Sequence, residues 1–245
     1  MPGLGTLINV IFIVVGGLIG LVASSLVTEK LQDALLRASG VCVIFIGIAG
    51  TLQHMLVATA ATDGTVSLST QGTMLLVISM AVGTVIGEAV DIDLRFEQLG
   101  VWLRDRTGST GDSHFVDGFV TASLTVSVGA MAIVGSIQDG LTGEWQTLAL
   151  KGAIDAVIVC AMAASMGKGC VFSALPVAVF EGAVTLLATL IAPIMTDAAL
   201  ANLSLVGSVL IFCVGINLVW PKTFKPANML PSMVIAVICT FLPFF

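Results

Sequence analysis

Gly16-Gly17-Leu18-Ile19-Gly20 and its echo Gly83-Thr84-Val85-Ile86-Gly87 set glycines four residues apart inside segments that hold no charged side chain. In a soluble helix each such glycine costs about 1 kcal/mol relative to alanine. In lipid there is no hydrophobic drive between helices, so association rests on close backbone approach, which glycine permits. The two stretches therefore read as seats for helix pairs in a membrane bundle. One such pattern could arise by chance in a chain with 26 glycines among 245 residues; two in matching surroundings argue for design.

Composition supports the same reading. Hydrophobic residues make up 57% and charged residues 10%, against about 25% charged in a typical soluble domain. Mean hydropathy is +1.11. Residues 1–28, 38–62, 64–87, 118–138, 182–196, 198–221 and 226–245 contain no Asp, Glu, Lys or Arg. Runs of about 20 such residues span the hydrocarbon as helices. An outer-membrane barrel would alternate with period two, and the run Leu7 to Val15, apolar save for Asn9, does not. The net charge of −6 comes from short loops, and no basic patch suggests nucleic acid. Cys42, Cys160, Cys170, Cys213 and Cys239 lack CxxC or Cys/His spacing. They read as reduced thiols packing as small apolar groups, with no metal and no cofactor. The first segment lacks a basic stretch ahead of it, so Leu4 to about Val27 reads as a retained span rather than a cleaved signal.

The expected fold is all-α, a polytopic transmembrane bundle forming one integral domain over 1–245. Eight spans are placed at about 5–27, 36–60, 72–90, 116–137, 149–166, 171–193, 200–219 and 229–245. Seven spans and a terminal half-helix ending at Pro243-Phe244-Phe245 are the alternative. Lys30, Arg37, Arg95, Arg104, Arg106, Lys168, Lys222 and Lys225 fall on one side and only Lys151 on the other. The positive-inside rule puts the eight in the cytoplasm and both termini outside. Residues 5–37 align with 72–104 at an offset of 67, with ten identities that include both glycine pairs. Helix-hairpin repeats at about 5–60 and 72–137 follow, with the remaining spans in 149–245. A fainter match of Gly47-Ile48 with Gly215-Ile216 would liken spans one and two to six and seven in opposite orientation, and inverted repeats of that kind occur in secondary transporters. Residues 88–114 read as an amphipathic helix in the interface, closed by Gly108-Ser109-Thr110-Gly111. Asp63-Gly64 and Asp139-Gly140 read as outward turns.

Ionisable groups inside spans cost about 2.5–3.5 kcal/mol each, so each needs a reason. Asp155 has Lys151 four residues before it, which allows an i,i+4 pair; a satisfied interfacial pair and a functional acid are both open. Glu181 stands alone between Gly169 and Thr196 and has no local partner. Desolvation favours its protonated form, so it suits binding of a proton or cation; a neutral glutamic acid bonded to a neighbouring helix is the plain alternative. Asn9, Ser123, Ser127, Ser136, Gln138, Asp139, Asn217, Gln53 and His54 are interhelical glue or line a polar route. Gly167-Lys168-Gly169 and Ser173-Ala174-Leu175-Pro176 read as helix breaks, a hinge or site entrance. No nucleotide loop, GxSxG or HExxH is present, so no enzyme activity is expected.

Gly5-Thr6-Leu7-Ile8-Asn9 with the first glycine pair, the runs Phe115 to Leu124 and Val128 to Leu141, and Val214-Gly215-Ile216-Asn217-Leu218 resemble the bacterial inner-membrane family catalogued as domain-of-unknown-function family 554. The resemblance covers almost the whole chain. It implies a transport protein of no agreed substrate, with Asn9, Ser136, Gln138, Asp139, Asp155 and Asn217 on positions like the family's motifs. Glu181 departs from a frequent Gln, which weakens the case for an essential carboxylate there. The expected function is transport of a small polar solute or ion in the bacterial cytoplasmic membrane, with or without proton coupling. Asn9, Ser136, Gln138, Asp139, Asp155, Glu181 and Asn217 would line the route, and Gly16, Gly20, Gly83 and Gly87 would pack helices. Expected partners are the solute, membrane lipid and further copies of the chain. A passive channel, and a non-transporting interaction or sensor protein working through residues 88–114, are the alternatives.

Overall fold

The computed structural model describes residues 2–24, 29–60, 66–109, 111–112, 114–127, 130–221 and 223–242, without the side chains of residues 29, 32, 33, 35, 36, 39, 60, 66 and 130. The helices are α1 (Leu4–Ser24), α2 (Glu29–Met55), α3 (Thr73–Val90), α4 (Ile92–Arg106), α5 (Phe115–Ser127), α6 (Ala130–Thr142) and α7 (Gln146–Met166). A 3-10 turn (Lys168–Ser173) leads into α8 (Ala174–Leu186), followed by α9 (Ala188–Ile191), α10 (Asp197–Val219), α11 (Pro226–Met229) and α12 (Pro231–Cys239). Strands β1 (Leu56–Ala60) and β2 (Val66–Thr70) pair antiparallel, with Leu56 opposite Thr70.

The helices are inside-out relative to a soluble fold. On α1 the buried residues are Gly5, Thr6, Asn9, Ile13, Gly16, Gly17 and Gly20, while Leu7, Ile11, Leu18, Ile19 and Val22 face outward. On α3 Ser79, Gly83 and Gly87 are buried, while Val85 is 70% exposed. Small and polar inside with large and apolar outside is the packing that lipid rewards and water forbids. Among the described residues, five segments are long and apolar enough to cross a membrane: Leu4–Ser24, Thr73–Val90, Gln146–Met166, Lys168–Leu186 and Asp197–Val219. The α5–α6 pair makes a sixth if taken as one bent span, and Gly40–Met55 and Pro226–Cys239 are shorter apolar helices.

Glycine contacts fix the direction of each neighbour. A methyl on Gly16 would strike the Ala156 carbonyl and one on Gly20 the Cys160 carbonyl, so α1 and α7 run parallel. Gly17 lies against Val171 while Thr6 meets Thr185 at 3.4 Å, so α8 runs antiparallel to α1. Gly40, Gly47 and Gly50 of α2 lie against Leu218, Phe212 and Ser208 of α10, an antiparallel pair. Gly83 and Gly87 lie against Ser232 and Asn228, so α3 is antiparallel to α11 and α12.

Several expected boundaries change. The second expected span, 36–60, is helical only to Met55; its last five residues are β1. Val57 pairs with Ser69 and Thr59 with Ser67, a register in which β-branched and hydroxyl side chains suit a pleated pair. The fourth expected span, 116–137, is two helices inclined at 64°. The sixth, 171–193, begins as a 3-10 turn and is interrupted again at Leu187 between α8 and α9. Asp139-Gly140 is not a turn but lies within α6; the chain turns at Gly143, φ +73°, because the Asp139 side chain is engaged by α1 and the helix runs on past it. Residues 92–106 do form a helix, α4. Asp91 joins it to α3 with φ +51°: its N–H closes α3 on the Gly87 carbonyl, and its carboxylate accepts from Leu94 N. The expected turn at Asp63-Gly64, the cation Lys222 and the tail Pro243-Phe244-Phe245 lie outside the described residues.

Candidate functional site

The start of α5 and the end of α6 lie at opposite ends of the bundle. Gly118 of α5 packs against Met166 and Cys170, at the far end of α7, and Gly169 packs against the Phe115 carbonyl. At the other end, Asp139 of α6 accepts hydrogen bonds from Gly3 N (3.1 Å) and Gly5 N (2.9 Å), at the start of α1. The two helices are inclined at 64° to one another, and residues 128 and 129 between them lie outside the described residues. An interrupted helix leaves backbone carbonyls at its C-terminal end that need donors, and lipid supplies none.

Lys151 of α7 supplies one. Its ammonium donates to the Val126 carbonyl at 2.7 Å, to the Asp155 carboxylate in a short contact, and stands 3.4 Å from Glu181 Oε1. Asn9 Nδ2 of α1 donates to Glu181 Oε1 at 2.7 Å. Four elements thus meet at one point: α1 through Asn9, α5 through its last turn, α7 through Lys151 and Asp155, and α8 through Glu181. The side chains of Lys151 and Asp155 are each 7% exposed and that of Glu181 1%. Asn9 lies five residues into α1, about 7–8 Å from its N-terminal end at 1.5 Å per residue. The cluster holds two carboxylates against one ammonium.

Its polar capacity is not used up: Asn9 Oδ1 and Glu181 Oε2 are buried and make no hydrogen bond. Ser127 Oγ on α5, and Ser136 Oγ and Asp139 Oδ1 on α6, are likewise buried without a partner. Buried polar atoms are nearly always paired, so such a concentration marks a place that a proton, water or solute completes. Two pockets lie elsewhere. One, of about 470 Å³, opens beside Gly108, Ser109, Gly111, Asp112 and Lys168; an apolar groove of about 210 Å³ runs between Ile48, Thr51, Leu52, Val209 and Phe212. Neither is lined by the cluster, which is closed in this conformation.

Of the seven residues expected to line a route, Asn9, Asp155 and Glu181 converge. Asp139 caps α1, one turn before Asn9, with one oxygen left free. Ser136 is fully buried on α6 without a partner. Gln138 Oε1 accepts from Thr147 Oγ1 at 2.7 Å and ties α6 to α7. Asn217 is at the far end of the bundle, where its side chain binds Thr223 N, Phe224 N and Phe224 O and staples the loop after α10. Glu181, expected to stand alone, has partners on two other helices. In the sequence Lys151 is only the i,i+4 companion of Asp155. It is the hub, and the signal was its place as the lone basic residue on the wrong side of the charge pattern. The expected hinge at residues 167–176 is a 3-10 turn with Gly167 at φ +82°, but the break that meets the charges is the one between α5 and α6. Among the described residues no group of three His, Cys, Asp or Glu could hold a metal ion.

A second polar seam runs along α3, where Ser79 Oγ, Ser232 Oγ and Asn228 Nδ2 are buried without partners. Asn228 Oδ1 accepts from Asp93 N at 2.7 Å and so links that seam to α4. Burial pushes the Asp93 carboxyl above its usual range; Glu97, Asp91 and Glu88 add to the rise and Lys225 opposes it.

The chain belongs to the family described as "Protein of unknown function (DUF554)", whose model matches residues 4–241. The uncharacterized membrane protein YdfK of Bacillus subtilis (strain 168) is 25% identical over 237 residues, which cover 97% of this chain and 95% of that protein. The uncharacterized protein YqgA of Escherichia coli (strain K12) is 23% identical over 241 residues, 96% of this chain and 94% of that protein. No solved structure matches the chain.

Proposed function

We propose that this protein carries a small polar solute or ion across the bacterial cytoplasmic membrane, coupled to protons, through the point where Asn9, Lys151, Asp155 and Glu181 meet the interrupted α5–α6 traverse. The observation that carries the reading is a buried ammonium held between two carboxylates and the Val126 carbonyl near the end of α5. Bundles that only need to fold avoid this arrangement, because desolvating three charges costs several kcal/mol per ion. Discontinuous helices at a binding point, with their free backbone groups turned to charge, are the working parts of secondary transporters. A passive channel fits less well, since the ion cluster closes the path.

The reading takes the chain as eight-spanning, with the spans α1, α2, α3, α5–α6, α7, the 3-10 turn with α8, α10, and α11–α12. Parity supports this. If α5–α6 dipped in and returned to its own side, α7 would run antiparallel to α1, whereas their glycine contacts are parallel. Spans one and six, two and seven, and three and eight are then antiparallel, as their contacts require. The offset of 67 lays α1 on α3, and each buries its glycine pair against a partner helix, which favours duplicated hairpins. With the basic loops inside, the cluster lies on the outer side of the membrane midplane.

The test is purified protein in proteoliposomes that enclose a pH-sensitive dye, challenged with a panel of amino acids, small organic acids and sodium and potassium salts. The expected result is saturable lumenal pH change with at least one solute, abolished in Asp155→Asn/Glu181→Gln. Undiminished flux in that variant removes the carboxylates from the mechanism. No flux with any panel member, of proton or solute, overturns the reading.

A further inference from the structure

Two of the unpaired atoms face a single solution. Asn9 Nδ2 already donates to Glu181 Oε1, and the atoms left over on the same two side chains are Asn9 Oδ1 and Glu181 Oε2, both acceptors as an ionised cluster would have them. An amide and a carboxylic acid pair through two hydrogen bonds in a ring: amide N–H to the acid carbonyl, acid O–H to the amide oxygen. One proton on Oε2 would satisfy both orphans at once. It would also bring the cluster of Lys151, Asp155 and Glu181 from a net charge of −1 to zero, which a site walled by apolar helices favours.

We propose that Glu181 is the proton seat of this protein, and that in the closed conformation its Oε2–H donates to Asn9 Oδ1 in a cyclic acid–amide pair. The proposal rests on the transport reading only for what the proton is used for. The charged groups facing Glu181 are Lys151 and Asp155 from α7. From α1 comes only the Asn9 amide. From α6 comes Asp139, one oxygen of which is held by the Gly3 and Gly5 amides. α5 brings the Val126 carbonyl, and its one acid, Asp117, lies in its first turn at the opposite end; α9 brings no charge, and Lys168 of the 3-10 turn lies at the far end of the bundle.

The seat has a consequence for the break. When the proton leaves to water, two carboxylates compete for one ammonium, and Lys151, already 3.4 Å from Glu181, is drawn toward it and off the Val126 carbonyl. The carbonyl end of α5 is then free for solute or water. When a proton returns to Oε2, Lys151 falls back to Asp155 and the Val126 carbonyl. Asn9 acts as a positioning residue for the proton, and Lys151 is the element with two places to sit.

The experiment is infrared difference spectroscopy on the full-length protein in detergent micelles, titrated from neutral to alkaline pH, with glutamate carboxyls carbon-13 labelled. Wild type should show the carbonyl stretch of a protonated carboxylic acid at neutral pH, displaced by the glutamate label and lost as pH rises. Glu181→Gln should lack that band, and Asn9→Ala, which removes both the Nδ2 donor and the Oδ1 acceptor, should shift its frequency. Wild type and Asn9→Ala decide the matter even if Glu181→Gln does not fold. No protonated band at neutral pH, or a band that ignores the glutamate label and so belongs to an aspartate, overturns the proposal. So does a missing band together with a melting temperature raised by sodium chloride but not choline chloride, which would put a cation between the two oxygens. A glutamate band in a protein that moves no protons in liposomes would leave the seat and remove the transport reading; flux without the band would do the reverse.

Discussion

Lys151→Met tests whether the charged cluster is desolvated. Lys151 serves three acceptors, Asp155, Glu181 Oε1 and the Val126 carbonyl, with 7% of its side chain exposed. Breaking a buried ion pair by deleting one partner costs about 3–5 kcal/mol, because the other charge is left uncompensated. The freed Val126 carbonyl costs about 1–3 kcal/mol more. Protonation of the stranded carboxylates recovers part of this, so a net loss of about 4 kcal/mol is the working figure. For a chain of this size 1 kcal/mol moves the melting temperature by about 2–4 °C, which gives a drop of about 8–16 °C. The assay is thermal unfolding in mild detergent followed by tryptophan fluorescence. Lys151→Met/Asp155→Asn/Glu181→Gln should recover most of the loss, since a neutral replacement of a whole buried ion cluster is often harmless. A single variant that melts within about 2 °C of wild type, or a triple variant no better than the single, refutes the reasoning.

Other perturbations address the scaffold. Gly20→Val drives a side chain into the Cys160 carbonyl and should cost at least about 3 kcal/mol, whereas Gly182→Ala, with open space around its Cβ position, should hold or raise the melting temperature. Asp139→Ala strips the acceptor from Gly3 N and Gly5 N and should cost about 1–2 kcal/mol, read as faster proteolysis at the start of α1. Asp93→Asn should raise stability at neutral pH and lose that advantage on acidification. A carboxyl whose folded pKa is raised adds stability below its unfolded value, and that contribution is lost as pH climbs through the folded value. Melting curves of wild type and Asp93→Asn that keep a constant separation across the acid range would contradict the burial of that carboxyl.

The sequence announced the bundle because lipid imposes a coarse rule: long uncharged runs, with small residues where backbones meet. Gly16, Gly20, Gly83 and Gly87 could be picked out for that reason before any partner was known. Glu181 and Asp155 were legible because an acid in an apolar run has few innocent explanations. What pairs with them was not, since Asn9 and Glu181 are 172 positions apart and no local spacing joins them. The interruption between α5 and α6 was hidden because the run 118–138 is uniformly uncharged and contains no proline, so its composition suits a straight span as well as a bent one. Asn217 looked like Asn9 by residue type and depth in its segment; only the fold places its amide on a loop and the other on an acid. The hairpin at 56–70 was masked by apolarity, which overrode the alternation of hydroxyl and aliphatic side chains.

The central claim is that the interruption beside Lys151 opens to one side of the membrane and then to the other. Its most direct test places a cysteine at Ser127, the last residue of α5, in a chain whose own cysteines have been replaced. A membrane-impermeant maleimide is then applied to right-side-out and to inverted vesicles. Labelling should occur from each side, and Lys151→Met should change the ratio of the two rates. A Ser127→Cys thiol that stays unlabelled from both sides in protein that remains folded would mean a permanently sealed structural knot, and transport through this point would have to be abandoned.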